Sequence, residues 1–264
     1  MKTSVSAFAA CVLSACALGA LASGAGAQDM LRGVDLNQPA YSQAEMSRAD
    51  VEAALKAKGA ALDLSSKSLN GLDLSGLDFS GVNLRAARMV KARLAGAKLD
   101  GAVIDQAWLL EADLTGASLK GAHVFAAQLQ KARADGADFS NARVAGDLSG
   151  ASLRGAIFDG ADLSADMKNQ SMGLMRAVLR MAVLEGARFR GANLARADLR
   201  FARAAGADFS DAVMEGADGA GADFTGAVWT GAKTKELDLD SARIDAAAKP
   251  ALSNAQNLSR AQAQ

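Results

Sequence analysis

Across 264 residues the chain has two prolines, two cysteines, one histidine and one tyrosine, and aromatic residues make up only 5% of it. Each scarcity excludes something. With so little proline, long proline-rich linkers are not expected. With so few aromatics, the core must be aliphatic and built from small side chains, although half of all residues are apolar. The lone histidine, His123, has no second histidine with which to build a metal site, and general-base chemistry would need partners beside it. An excess of one charge is missing too. The 29 basic and 29 acidic residues cancel, which gives no support to a general affinity for nucleic acid or for an anionic membrane. No G-x-S-x-G, Walker loop or His–Glu–His set occurs, so no catalytic residue, cofactor or small-molecule substrate is expected.

Long apolar runs are also rare. The one that stands out, Val5 to Ala22, follows Lys2, contains no acidic residue, and ends near the small residues Ala25–Ala27. It is short and Ala/Gly-rich for a spanning helix, and it has the layout of a secretory signal cleaved after Ala27. Cleavage would remove Lys2 alone among the charges, leaving 28 basic residues against 29 acidic. It would also remove both Cys11 and Cys16, and with them any disulfide or thiol chemistry. The alternative is a lipoprotein: "LSAC" (Leu13–Cys16) has the form of a lipid-attachment box, which would tether the chain to a membrane through Cys16. The expected location is therefore the periplasm or the exterior.

Residues 28–66 read as a lead-in with one helix. "SQAE" looks like a capping box, with Ser42 as N-cap and Glu45 three residues on. Met46, Val51 and Leu55 then share a face, and Gly59 suits a stop. Such a helix would cap the near end of the domain that begins after residue 66.

That domain is long and regular. From Leu69 to Ile244 a large apolar residue recurs every five positions, as in Leu94, Leu99, Ile104 and Leu109. Thirty-five such repeats can be counted, and the residue two before the centre is alanine in 28 of them. Neither a helix nor a strand has a period of five. A short extended piece plus a turn does. Residues two apart in an extended piece point the same way, so the alanine and the large residue face inward and the residue between them faces out. Gly is frequent two after the centre, where a tight corner forms. Four sides close a coil of about twenty residues, and stacked coils bury each other's apolar residues as a solenoid. Two places break the rhythm. A step of four separates Val144 from Leu148. "SADMKNQSMG" (164–173) interrupts the run before Leu174, either as an excursion or as one degenerate side.

"GADLSA", "GANLAR", "GADFSD" and "GADFTG" resemble the consensus of the pentapeptide-repeat family, Ala–Asp/Asn–Leu–X–X. The resemblance covers Leu69 to Ile244. It implies an all-β fold, a right-handed quadrilateral parallel β-helix, here over residues 67–245 with a short N-terminal capping helix. Residues 246–264 lack the period and are expected to be a cap or a disordered tail. The family also contains proteins that look like duplex DNA and bind DNA gyrase, which gives an alternative reading, although the near-neutral charge and the signal segment do not suit it.

The leading functional expectation is a non-enzymatic scaffold, a monomer rather than a dimer, that presents outer faces to a protein partner. Residues twenty apart should stack, so Asp73, Arg93, Asp113 and Arg133 form a column of alternating charge, as do Arg203, Asp223 and Arg243. Two stretches depart from this neutral pattern. Trp108, Leu110, Phe125 and Val103 are large apolar residues at outward positions, which marks either a partner-binding patch or a surface that the chain's own helix or inserted segment covers. Arg180, Arg188, Arg190, Arg196 and Arg200 crowd one stretch of sequence and could form a basic, polyanion-binding patch. Gly219 is expected to leave its core layer underfilled.

Overall fold

The computed structural model describes residues 35, 38–57, 62–168 and 175–263. The signal segment with Cys11 and Cys16, Gly59, Leu174 and residues 169–173 of the 164–173 interruption lie outside the described residues.

Each five-residue repeat carries out the same exchange of hydrogen bonds. The N–H of the outward residue Arg93 reaches back to Leu72 in the preceding coil (2.8 Å), and that of the central Leu94 reaches forward to Asp113 in the next (2.6 Å). The corner is closed by Ala97, whose N–H donates to Leu94 at 3.0 Å. Its third residue, Gly96, is left-handed, with φ of 64°. Ala92 and Leu94 are fully buried, and Arg93 between them faces solvent. The frequent Asp or Asn at the outward position has its own reason. Its carboxylate accepts the N–H two residues on, as Asp73 does from Ser75 and Asp113 from Thr115, so it holds the start of the corner.

These exchanges generate four parallel ladders. The first runs through Asp63, Asn83, Val103 and His123; the second through Ser68, Arg88, Trp108 and Gln128; the third through Asp73, Arg93, Asp113 and Arg133; the fourth through Asp78, Lys98, Ser118 and Asp138. The chain makes a full coil every twenty residues until the step of four, where Arg133 pairs with Ser152, Asp138 with Ile157 and Arg143 with Asp162, each nineteen on. Strands β1 (His123–Gln128) and β2 (Arg143–Asp147) pair there, and their register slips between Phe125 and Gln128. The shortened corner is possible because residue 146 is glycine. A Cβ on it would sit 2.5 Å from the carbonyl oxygen of Ala127. Val144 and Leu148, on either side of the step, are both in the core.

The second break is larger. Asp147 pairs with Val178 and Asp162 with Asn193, a coil of thirty-one residues and so eleven in excess of twenty. The ladder passes from Leu163 directly to Leu179, whose N–H donates to Asp198 at 2.7 Å. Ala177 closes the corner by donating to Leu163, and Asp166 donates to Met175 (2.7 Å) at the base of the interruption. The chain therefore leaves the ladder after Leu163 and rejoins it at Ala177, at one corner, and among the described residues no bridge falls between Asp162 and Val178.

Inside, the centres stack by side. On the fourth side Phe139, Phe158, Phe189, Phe209 and Trp229 form a column of near-parallel rings with centroids 4.8, 4.9, 5.1 and 4.9 Å apart. Offset stacks of this kind add to the roughly 1.5–3 kcal/mol that each large buried side chain contributes. The expectation for Gly219 is corrected. The ring of Phe224, edge-on to Phe209 and Trp229, fills the layer, and a Cβ at 219 would lie 3.0 Å from Phe224 Cε2.

The lead-in differs from its sequence reading. Ser42 ends a short helix, α1 (Pro39–Ser42), and the longer helix α2 (Arg48–Lys56) is capped by Ser47 in a reciprocal box with Asp50. Glu45 does not cap a helix at all; its carboxylate accepts the N–H of Ser68 in the first coil. Val51 enters the core, and Arg48 donates to the carbonyls of Asp73 and Ser75. At the other end the non-repeating tail packs on the last coil. Leu252 is fully buried, and β3 (Arg243–Ile244) pairs with β4 (Gln262–Ala263).

Candidate interaction surfaces

The outward apolar residues expected to form one patch are spread over a corner of the rod, and most are covered. Val103 and Phe125 are half-buried, and the guanidinium of Arg143 lies over the Phe125 ring, 5.7 Å from its centroid. Trp108 is half-buried on the second ladder, and Tyr41 of α1 stacks on it with centroids 5.4 Å apart and planes 13° from parallel. Leu110 is only 7% exposed. Its expected outward exposure is thus corrected: Leu110 is buried, and the lead-in lies on the neighbouring Trp108. Gln43 anchors the lead-in by accepting from the Ser68 hydroxyl at 2.6 Å and from Asn70 at 3.4 Å.

The five arginines do not make one patch either. A five-residue step turns the chain onto the next side, so neighbours in sequence face different directions. Arg188 stands on the fourth ladder, paired with Asp159, and Arg190 pairs with Asp208 at 2.5 Å on the following corner. Arg180 and Arg200 fall on the corner after the second side and converge on Asp198. Arg196 has no acidic partner among the described residues. The charge columns do stack. Arg93 lies 3.4 Å from Asp73, Arg133 lies 3.5 Å from Asp113, and Arg243 lies 3.1 Å from Asp223, all on the third ladder. His123 stands on the first ladder, exposed.

The densest electrostatic arrangement is centred on Asp198, which is 1% exposed. Arg200 donates to both its oxygens (2.6 and 2.9 Å), Arg180 donates at 2.9 Å and Arg176 at 3.3 Å, and the backbone N–H of Arg200 adds a fifth bond. Burial alone would raise the carboxyl's pKa, but the hydrogen bonds from Arg200 and Arg180 prevail and hold it at about 2. One coil on, Asp218 has a single arginine, Arg200 at 3.1 Å, and there burial dominates and pushes the pKa up.

Beside this cluster the corner carries two side chains that the sequence reading passed over. Met181 and Phe201 are 58% and 61% exposed. The signal was available: they stand twenty residues apart at a corner position that elsewhere is mostly glycine or polar. Among the described residues, no group of three or more His, Cys, Asp or Glu residues could hold a metal ion. No helix there is long and apolar enough to cross a membrane.

Coils stacked through four parallel ladders with an alanine–leucine interior define a β-solenoid built from five-residue units. A profile for pentapeptide repeats matches in eight copies, over residues 68–106, 145–165, 174–211 and 197–233. The chain belongs to the pentapeptide-repeat family, whose members fold as right-handed β-helices. Among solved structures it is similar to QnrB1, a plasmid-mediated fluoroquinolone resistance protein, at 18% identity over 73% of this chain and 96% of that one, with a TM-score of 0.52. It is also similar to HetL, a pentapeptide repeat protein involved in heterocyst differentiation regulation in the cyanobacterium Nostoc, at 31% identity over 75% and 97%, with a TM-score of 0.31. Among curated proteins, no significant match is found.

Proposed function

We propose that the chain is a non-enzymatic interaction scaffold: a four-sided rod, closed at its N-terminal end by α2, that presents fixed side chains to a protein partner in the periplasm or outside the cell. The observation that carries this reading is the ladder itself. Each outward side chain sits on backbone bonded to the coil before and the coil after, so its position is set in advance, and little ordering cost remains when a partner binds. Among the described residues the inward positions are taken up by the apolar core. The neutral, alternating columns argue against a DNA-like acidic rod, and the ion pairs of Arg188 and Arg190 argue against a general polyanion surface.

Three measurements test the proposal. The mass of the chain recovered from the envelope fraction should correspond to an N-terminus at Gln28; a lipid-modified Cys16 would instead place it on a membrane. Cross-linking of the mature rod in that fraction should yield a discrete complex with a protein, and DNA supercoiling by gyrase should be unaffected by the purified chain. Inhibition of supercoiling would overturn the scaffold reading in favour of gyrase binding.

A further inference from the structure

Phe201 and Met181 are expensive residues for the isolated rod. Both sit at corners with φ of 57°, a left-handed conformation that disfavours any side chain and most of all a bulky one. Neither recovers the cost by burial, since each exposes more than half its surface. The ring of Phe201 lies over the next corner, where a Cβ on Gly221 would come within 2.6 Å of it, so the glycine above leaves room for the ring. Strain combined with exposure, on one corner of two successive coils, is not explained by folding.

The charge around them is equally local. On these two coils the second side and its two corners carry Arg176, Arg180, Arg196 and Arg200 against Asp198 alone. Arg176 donates to the carbonyl of Arg196 (3.0 Å), which sets the two on the corner opposite Met181 and Phe201. Below this band stands Asp147, and above it stand Glu215 and Asp218. The positive potential is therefore a band across the rod, two coils deep, with carboxylates on both borders. An anionic bilayer lying along the side would meet the exposed Glu215 and the edge of Asp218 at the upper border, Asp147 being buried; an extended chain crossing the rod would not.

We propose that this band docks an acidic segment of a partner protein, whose carboxylates pair with Arg196 and the outer edges of Arg180 and Arg200 while an apolar side chain covers Phe201 and Met181. This inference rests on the scaffold reading and gives it a location and a partner chemistry. The test uses the full mature chain and a fluorescein-labelled peptide of glutamates flanking a central Leu-Phe pair, followed by fluorescence anisotropy. Saturable binding is expected, weakened about tenfold or more by Phe201→Gly and by Arg196→Gln. Phe201→Gly should at the same time leave the melting temperature equal or higher, because glycine relieves the corner. Val228→Ser, which removes an exposed apolar residue on the fourth side, should change neither. A Phe201→Gly variant that melts lower and binds the peptide as before would overturn the proposal, as would binding to phosphatidylglycerol vesicles in place of the peptide. Recovery of one complex by wild type and Phe201→Gly alike would overturn this location and leave the scaffold reading standing.

Discussion

The second side of the rod tells two stories along its length. In the early coils its outward and corner positions hold Trp108, Val90 and Leu110; Val90 and Leu110 are buried, and Tyr41 of the lead-in stacks on the indole. In the later coils the equivalent positions hold Asp198, Arg180 and Arg200, and the apolar residues, Met181 and Phe201, stand uncovered at the corner. The backbone is the same in both. The difference teaches that an outward apolar residue on a repeat carries no meaning by itself. It reports packing where a non-repeating segment lies over it and stays exposed to solvent where none does.

The comparison can be broken or sharpened by substitution. The largest effect is expected at Asp198→Ala, which removes the carboxylate shared by Arg176, Arg180 and Arg200 and leaves Arg200 its bond to Asp218. Because those arginines keep partial access to water, we expect about 2–3 kcal/mol lost in urea unfolding, at or below the low end for breaking a fully buried pair. Trp108→Ala should cost about 2 kcal/mol, since the indole is half-buried, and Tyr41→Ala about 1 kcal/mol. The double variant should lose less than the sum, which would show that the two rings stabilise each other; strict additivity would mean the lead-in is held elsewhere.

Acid should separate the two aspartates of the later coils. The folded pKa of Asp198 lies below its ordinary value, so its contribution is complete above about pH 4 and is lost as pH falls toward 2. Asp218 has the opposite sign. Its pKa is raised by burial, so its charged form weighs against folding at neutral pH and protonation relieves it. Asp198→Ala should flatten the fall in stability between pH 4 and 2. The smallest effect is expected at Asp218→Asn, neutral or stabilising by up to about 0.5 kcal/mol at pH 7. A clear destabilisation there would mean that its bond with Arg200 outweighs its burial.

Much of the fold was legible because period five dictates which residue points inward whatever else the chain does. Ala92, Leu94 and Leu114 could be placed in the core, and the third-ladder columns from Asp73 to Arg133 assembled, from spacing alone. What failed to show was whatever lies outside the period. Ser47 rather than Ser42 caps α2, because the chain first makes the short turn at Pro39–Ser42 and then a bridge from Ala44 to Leu69. Residues 246–263 pack on the last coil through Leu252 and β4 although they carry no repeat. The arginine stretch looked continuous because sequence distance was read as spatial distance, whereas each repeat turns onto a new side. Past Arg133 even the column arithmetic slips, first by one residue and then by eleven, so that only the bridges show which residues share a ladder.

That slip has a use. Position in this rod is assigned by the ladder and not by residue number: the chain leaves after Asp166, returns at Met175, and Ala177 takes up the corner bond to Leu163 as though nothing had intervened. The corner therefore behaves as a socket. A foreign segment whose ends lie close together, such as a fluorescent protein or an affinity module, could be carried between Asp166 and Met175 without shifting a single inward alanine on either side, and two such rods differing only there would remain superimposable coil for coil.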